Sequence, residues 1–454
     1  MRCDKIVCRG CWFEIRKHIS QEPGHDKTRP NDALIVHSTL KVRLDVWPLL
    51  GDAIKRCRAP YLRQIDDGNE WFGVGRKNEA GDYSLVEGHA YNLIVDSFGS
   101  SKDGTYPRLV SFVGETGSGK SKLIGLLSKF SNPSSTNHFK TPAVGDPGSL
   151  QSTSSNVHLY VDPRTFQTRS PILYAECEGM DRDEIPTEMR KFQVGASASR
   201  DPLSHASQIS ELNSQDIIWS KMPKGAWTRK DIIRTLFPRI LYIFSDVVVF
   251  PFSRIQPGDT IFQLVKWGHS AMVQSYNKPA LPSAIIVFLN WDDQVDSYEY
   301  DLSAAKRSFF AGLRDFSKDK ALQPYIQYWK THQEPIFSVE DLLRCYYYSV
   351  TVVQLPSSQR PTIVGLQIEK LHARITELCL QSKNRSHVTS MDWNAATLPL
   401  FVRKAFAHFA SKIIAKKTGH EGGYLMGMGS AKCQGGCGTE NVEHVSKTAQ
   451  PGMD

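Results

Sequence analysis

With 454 residues, 40% of them hydrophobic and 22% charged, the chain has the make-up of a globular protein with room for one large core and one or two smaller units. Its net charge of +8, from 55 Lys and Arg against 47 Asp and Glu, suits anionic ligands but is spread too thinly to call for a specific nucleic acid. No run approaches the roughly 20 apolar residues of a membrane helix.

The longest apolar run, Ile240 to Phe252, is interrupted by Asp246 and Pro251. The opening Met1-Arg2-Cys3-Asp4 does not read as a signal peptide. Of the nine cysteines, Cys57, Cys177, Cys345 and Cys379 stand singly, which is no disulfide framework. A cytoplasmic protein without a membrane span is expected.

Residues 1–30 are rich in Cys, His and charge. Cys3-x4-Cys8-x2-Cys11-x6-His18-x6-His25 places thiolates and imidazoles at spacings that can converge on tetrahedral Zn²⁺. Two readings stay open: zinc held by this fragment, or reduced, unliganded Cys and His.

From about 40 to 360, buried strands alternate with helical segments, as in an α/β sheet. Strands are expected at Leu109–Val113, Val157–Val161, Ile172–Glu176, Val247–Phe250, Ala284–Leu289 and Val350–Leu355, with a short lead-in strand at Trp71-Phe72-Gly73-Val74. Their continuous apolar runs predict a mostly parallel sheet covered by helices on both faces. Helices are expected over Lys120–Phe130, Thr228–Phe244 and Thr260–Tyr276. Thr228 and Asp231 stand at capping-box spacing, and Pro238 predicts a kink or break. The Ser-rich stretch from Asp181 to Lys224 reads as a mobile insertion, about 181–224.

From Gly365 the apolar residues take helical spacing, so 365–417 is read as a helical segment. Leu366, Leu371, Ile375 and Leu378 form one stripe; Leu398, Val402, Phe406, Phe409 and Ile413 form another. The Gly-rich tail, 418–454, lacks periodicity and is expected to be disordered.

Gly114-Glu115-Thr116-Gly117-Ser118-Gly119-Lys120-Ser121 satisfies G-x-x-x-x-G-K-[ST] between a strand and a helix. Glycines there let backbone N–H groups turn onto phosphate oxygens, aided by the helix N-terminus. Lys120 would reach the β- and γ-phosphates and Ser121 would place its hydroxyl on Mg²⁺. A nucleoside triphosphate with Mg²⁺ is the expected ligand.

The strand Ile172–Ala175 runs into Glu176-Cys177-Glu178-Gly179, which resembles the D-x-x-G turn of GTPases with Glu in place of Asp; the resemblance implies that Glu176 serves Mg²⁺ through water and that the Gly179 N–H meets the γ-phosphate. Asn290-Trp291-Asp292-Asp293 follows a late buried strand and resembles the N-K-x-D of GTPases with Trp291 in place of the Lys; the resemblance implies that Asn290 and Asp293 contact guanine, the Asp293 carboxylate accepting from the ring N–H and the exocyclic amine. Thr153, in Gln151-Ser152-Thr153, is a candidate switch threonine that contacts Mg²⁺ and the γ-phosphate in the triphosphate state. Thr141 competes with it.

Gln151-Ser152-Thr153, then the strand, then Glu176-Cys177-Glu178-Gly179, resembles the large GTPases of the guanylate-binding protein and atlastin group, over roughly Leu109 to Leu355. That resemblance implies a P-loop GTPase domain, a GTP-controlled switch and a protein partner that reads it, or a nucleotide-dependent dimer. The group often carries an Arg in the phosphate loop, and this loop has none, which implies slow or assisted hydrolysis. The Cys/His run resembles part of a B-box-type zinc finger, and the whole order resembles multidomain fungal proteins with such a finger upstream. An ATP-using signalling protein, or a zinc-finger scaffold that binds nucleotide without turnover, remain the alternatives.

Overall fold

The computed structural model describes residues 67–76, 82–131, 139–142, 156–179, 214–221, 227–252, 257–272, 281–291, 300–311, 313, 318–356, 361–388 and 392–411. The chain forms two units, Met1–Ile413 and Ile414–Asp454, and every described residue belongs to the first. Cys3, Cys8, Cys11, His18, His25, Thr153, Asp293 and the tail from 418 lie outside the described residues, as does most of the stretch 181–224.

Among the described residues nine strands form one sheet: β1 Glu70–Arg76, β2 Tyr83–Glu87, β3 Arg108–Phe112, β4 Val157–Val161, β5 Ile172–Cys177, β6 Ser214–Asp216, β7 Val247–Phe252, β8 Ser283–Trp291 and β9 Val350–Pro356. Their order is β6-β2-β1-β4-β5-β3-β7-β8-β9. The five strands from β5 to β9 along that order are parallel. The pairs β4–β5, β1–β4, β1–β2 and β2–β6 are antiparallel.

The expectation of a mostly parallel sheet is therefore corrected to a mixed one. β4 has the continuous apolar burial of a parallel strand, but the connection 162–171 is too short for a crossover and must return antiparallel.

Alternate residues of the parallel strands enter two cores. Val110, Phe112, Ile172, Tyr174, Val247, Val249, Ile285, Val287, Val353 and Leu355 face one side, covered by α2 (Lys120–Ser131) and by a long helix over Pro361–Val388. The opposite set, including Leu109, Leu173, Val248, Phe250, Ile286 and Val352, meets α3 (Arg229–Phe244) and α4 (Pro257–Met272). Along the rest of the chain α1 is Ala90–Ser97, α5 Leu302–Ala311, α6 Gln323–Thr331, α7 Val339–Arg344, α8 the long Pro361–Val388 helix, and α9 Leu398–Ser411. The period of two along each strand thus demands helices on both faces, and both are present.

Local chemistry explains the elements, with four departures. Thr228 and Asp231 form a reciprocal capping box at the start of α3. The helix continues through Pro238 rather than breaking, held by the fully buried Leu236, Phe237, Ile240 and Leu241 on either side; a proline in a helix interior costs about 3 kcal/mol, which this burial offsets.

Part of the expected insertion is built into the fold. β6 pairs with β2, and Trp219, buried just after it, donates its indole N–H to the Phe409 carbonyl at 2.8 Å. Leu366 is 55% exposed, and Val364 and Ile368 carry the stripe on α8 with Leu371, Ile375 and Leu378. α4 starts at Pro257, a few residues before its expected limit. On α9, Leu398, Val402, Phe406 and Phe409 are buried as their spacing predicts.

Cys177, Cys345 and Cys379 are free thiols. Among the described residues no helix is long and apolar enough to cross a membrane.

Candidate functional site

The site is set by topology before any side chain is considered. From β3 the chain moves to β4 and β5 on one side, then crosses to β7 on the other. β3 is thus the point where strand order reverses, and crevices for ligands form outside the carboxyl ends of strands at such points. The segment leaving the carboxyl end of β3 is Gly114–Ser121.

Val113 still pairs with β7, its N–H donating to Val249 O at 2.9 Å, and α2 begins at Lys120. Between them the loop turns on backbone conformations that favour glycine. Gly117 has φ +79° and Gly119 φ +94°. A Cβ on Gly119 would also fall 2.3 Å from Leu289 Cδ1 of β8, so a larger residue there would have to displace that side chain.

The loop's polar groups are arranged for an anion. The Lys120 side chain is buried and folds back over the loop, its Nζ donating to Gly114 O at 3.0 Å and Glu115 O at 2.8 Å. A phosphate oxygen in the loop would make a charge-assisted hydrogen bond with this ammonium, stronger than one to a peptide carbonyl. The hydroxyls of Thr116 and Ser118 are buried without a hydrogen-bond partner among the described residues. Unmatched buried donors cost about 1–3 kcal/mol each, so a ligand offering acceptor oxygens fits this cradle. Gln263 of α4 reaches the loop's rim, with Nε2 3.4 Å from Glu115 Oε1.

β5 supplies the acidic side. Parallel pairing of β3 with β5 sets Glu176 opposite Phe112, at the level where the loop begins. Ser121 donates its hydroxyl to Glu176 Oε1, and Glu176 is only 1% exposed. A hydroxyl and a buried carboxylate side by side are oxygen donors of the type Mg²⁺ takes. Two residues on, Glu178 is occupied elsewhere: it makes a bidentate pair with Arg229, at 2.7 Å for each oxygen. Of the two carboxylates, Glu176 is the one beside Ser121.

Cys177 between them points into the opposite core, and burial pushes its thiol up to about 12, so it takes no part as a nucleophile. Gly179 then lies directly against the loop. A Cβ there would stand 2.2 Å from Thr116 Oγ1 and 2.7 Å from Thr116 N, a close approach only glycine permits.

Gly114 to Ser121, Glu176 and Gly179 are thus brought together in one place. Asn290 falls within β8 near its carboxyl end, two strands away from β3. Asp293 and Thr153 lie outside the described residues, as do the candidate zinc ligands. Among the described residues no group of three or more His, Cys, Asp or Glu could hold a metal ion.

Sequence reading missed the buried Arg229 and Asn156. One signal was legible: a cation in the first turn of α3 opposes the helix dipole and asks for another reason to be there.

No protein-family model and no curated protein matches the sequence. Among solved structures, a chain of the signal recognition particle receptor SRb-GTP/SRX complex from Chaetomium thermophilum is similar at 14% identity and a TM-score of 0.25, over 58% of this chain and 98% of that one.

Proposed function

We propose that the chain is a Mg²⁺-dependent nucleotide-controlled switch that binds GTP on Gly114–Ser121. The observation that carries this reading is the phosphate-type loop at the reversal point of the sheet, with Lys120, Thr116 and Ser118 turned into it. Lys120 would exchange the Gly114 and Glu115 carbonyls for the β- and γ-phosphate oxygens. Ser121 and Glu176 would hold Mg²⁺, Ser121 directly and Glu176 through water. Gly179, packed on Thr116, would offer its N–H to the γ-phosphate.

Mg²⁺ bound there supplies neutralisation of the phosphate charge. The loop holds no Arg, so the chain's own residues orient and bind the triphosphate more than they speed its hydrolysis, and turnover is slow without a partner. Thr153 is proposed as the switch threonine, and the N-terminal Cys/His run as a zinc-binding module.

Guanine preference rests on Asn290 and Asp293. Asp293→Asn turns an acceptor oxygen into a donor and opposes the guanine edge. Titration of wild type and Asp293→Asn with GTP and ATP in parallel tests it: GTP binds wild type more tightly, and the variant loses that preference by roughly tenfold or more. An unchanged ratio would leave an ATP-type ligand as the reading of the same loop.

A further inference from the structure

At the carboxyl end of β5, one buried cluster joins four elements, β1, β4, β5 and α3. Arg229, the first residue of α3, is 7% exposed and spends all three guanidinium nitrogens inside the protein. Two grip Glu178; one of these also donates to Asn156 Oδ1 at 2.9 Å, and Nε donates to Val74 O of β1 at 3.4 Å.

Asn156 stands immediately before β4 in a left-handed conformation, φ +67°. Its backbone N–H donates to Glu178 Oε2 at 2.7 Å, and its carbonyl accepts from Glu178 N at 2.9 Å. Its side chain accepts from Val74 N at 3.1 Å and donates to Glu70 Oε1 at 3.1 Å. β1 makes room for it at Gly73, where a Cβ would fall 2.1 Å from Asn156 Cγ, and the β1–β4 register shifts beside it.

Glu178 lies between Glu176, which touches Ser121, and Gly179, which touches Thr116. Whatever holds Glu178 sets both neighbours. We propose that Arg229, through Glu178 and Asn156, is the positioning residue that fixes the Glu176–Gly179 turn for the γ-phosphate and its Mg²⁺, and that couples triphosphate binding to α3 and β1. The pair is planar and bidentate, which holds orientation as well as distance, so a single-point cation at 229 is not equivalent.

The inference rests on the reading of Gly114–Ser121 as a phosphate loop. The loop itself grips the phosphates common to di- and triphosphate, whereas Glu176 and Gly179 face the third. Loss of the clamp therefore changes the preference for triphosphate over diphosphate and leaves diphosphate binding in place.

The experiment is calorimetric titration of the full chain with Mg²⁺-GTP and Mg²⁺-GDP. Arg229→Gln alone leaves a buried carboxylate without its cation and risks unfolding, so the test uses Arg229→Gln combined with Glu178→Gln, which removes both charges together. Gly73→Ala, which displaces Asn156 from a different strand, is the second variant.

Both are expected to bind GDP as wild type does and to lose the GTP preference on the order of tenfold. Arg229→Lys is expected to restore only part of it. A wild-type GTP-to-GDP ratio in both variants, with folding intact, overturns the clamp. So does a wild type with no triphosphate preference to lose. A wild type that binds neither nucleotide overturns the phosphate-loop reading and the clamp with it, which separates the two failures.

Discussion

At the scale of single residues, two acidic positions two apart have different work: a strand's period of two would put both on one face, but β5 ends between them at Cys177, and they meet different neighbours. Glu176 meets Ser121, and Glu178 meets Arg229. Glu176→Gln keeps size and hydrogen bonding but removes the charge beside Ser121. It is expected to weaken Mg²⁺-dependent GTP binding by about 10- to 100-fold, the range of a lost charge-assisted bond, while binding in EDTA changes little. Titration with and without Mg²⁺ checks this; equal losses under both conditions would show that Glu176 does not serve the ion.

Gly179→Ala is expected to fail differently. Its Cβ would press on the Thr116 backbone as well as on its hydroxyl, so the loop must shift and affinity falls with or without Mg²⁺. The motif was legible in sequence because loop chemistry demands Gly, Lys and Ser at fixed offsets. The partners of Glu178 were not, since Asn156 and Arg229 are distant in the chain and join only when β4, β5 and α3 meet.

At the scale of elements, strands and caps were legible for local reasons and pairing direction was not. Apolar runs announce burial on two faces whichever way a strand runs, which is why β4 read as parallel. Pro238 and the stretch around Trp219 went the other way, tertiary packing overriding a local signal.

The α4–α6 contact offers a test of how tightly the helical layer is packed. His269 of α4 sits among Tyr325, Tyr328 and Tyr346, with Nδ1 3.0 Å from the Tyr346 hydroxyl, and burial pulls its pKa from 6.5 down to about 4. The folded state prefers the neutral ring. As pH falls below 6.5 the unfolded chain takes up the proton first, so stability present above that value is lost progressively down to about 4.

Between pH 7 and 4.5 the loss from this one group is on the order of 2 kcal/mol. Urea unfolding of wild type and His269→Gln at both values measures it, and the variant is expected to show a shallower decline. Parallel pH dependence in the two proteins would mean that the ring is solvated.

At the scale of the whole molecule, the mixed sheet has two halves. Its parallel half carries the proposed phosphate loop, at the end of β3 between β5 and β7, and its antiparallel half, β6-β2-β1-β4, meets Glu178 just beyond β5 through Asn156. Phe72 of β1 packs on Phe237 of α3 and Phe406 of α9, so a shift at the clamp is felt by the helical layer. The α/β class and its two helical layers were readable from periodicity, because burial on both strand faces leaves few alternatives. The antiparallel extension was not, because an apolar run carries no mark of pairing direction and β6, three residues long, joins β2 from a distant part of the chain.

The central claim is that Lys120 and its loop hold a nucleotide's phosphates, and mass action makes it measurable on the whole fold. A ligand at 100 times its Kd adds about 2.7 kcal/mol to stability, so Mg²⁺-GTP raises the unfolding temperature of wild type. Lys120→Ala removes the ammonium that faces the loop and is expected to fold as wild type does but to show no shift at the same concentration. An equal shift in both proteins, or none in wild type at millimolar Mg²⁺-GTP, would contradict the account.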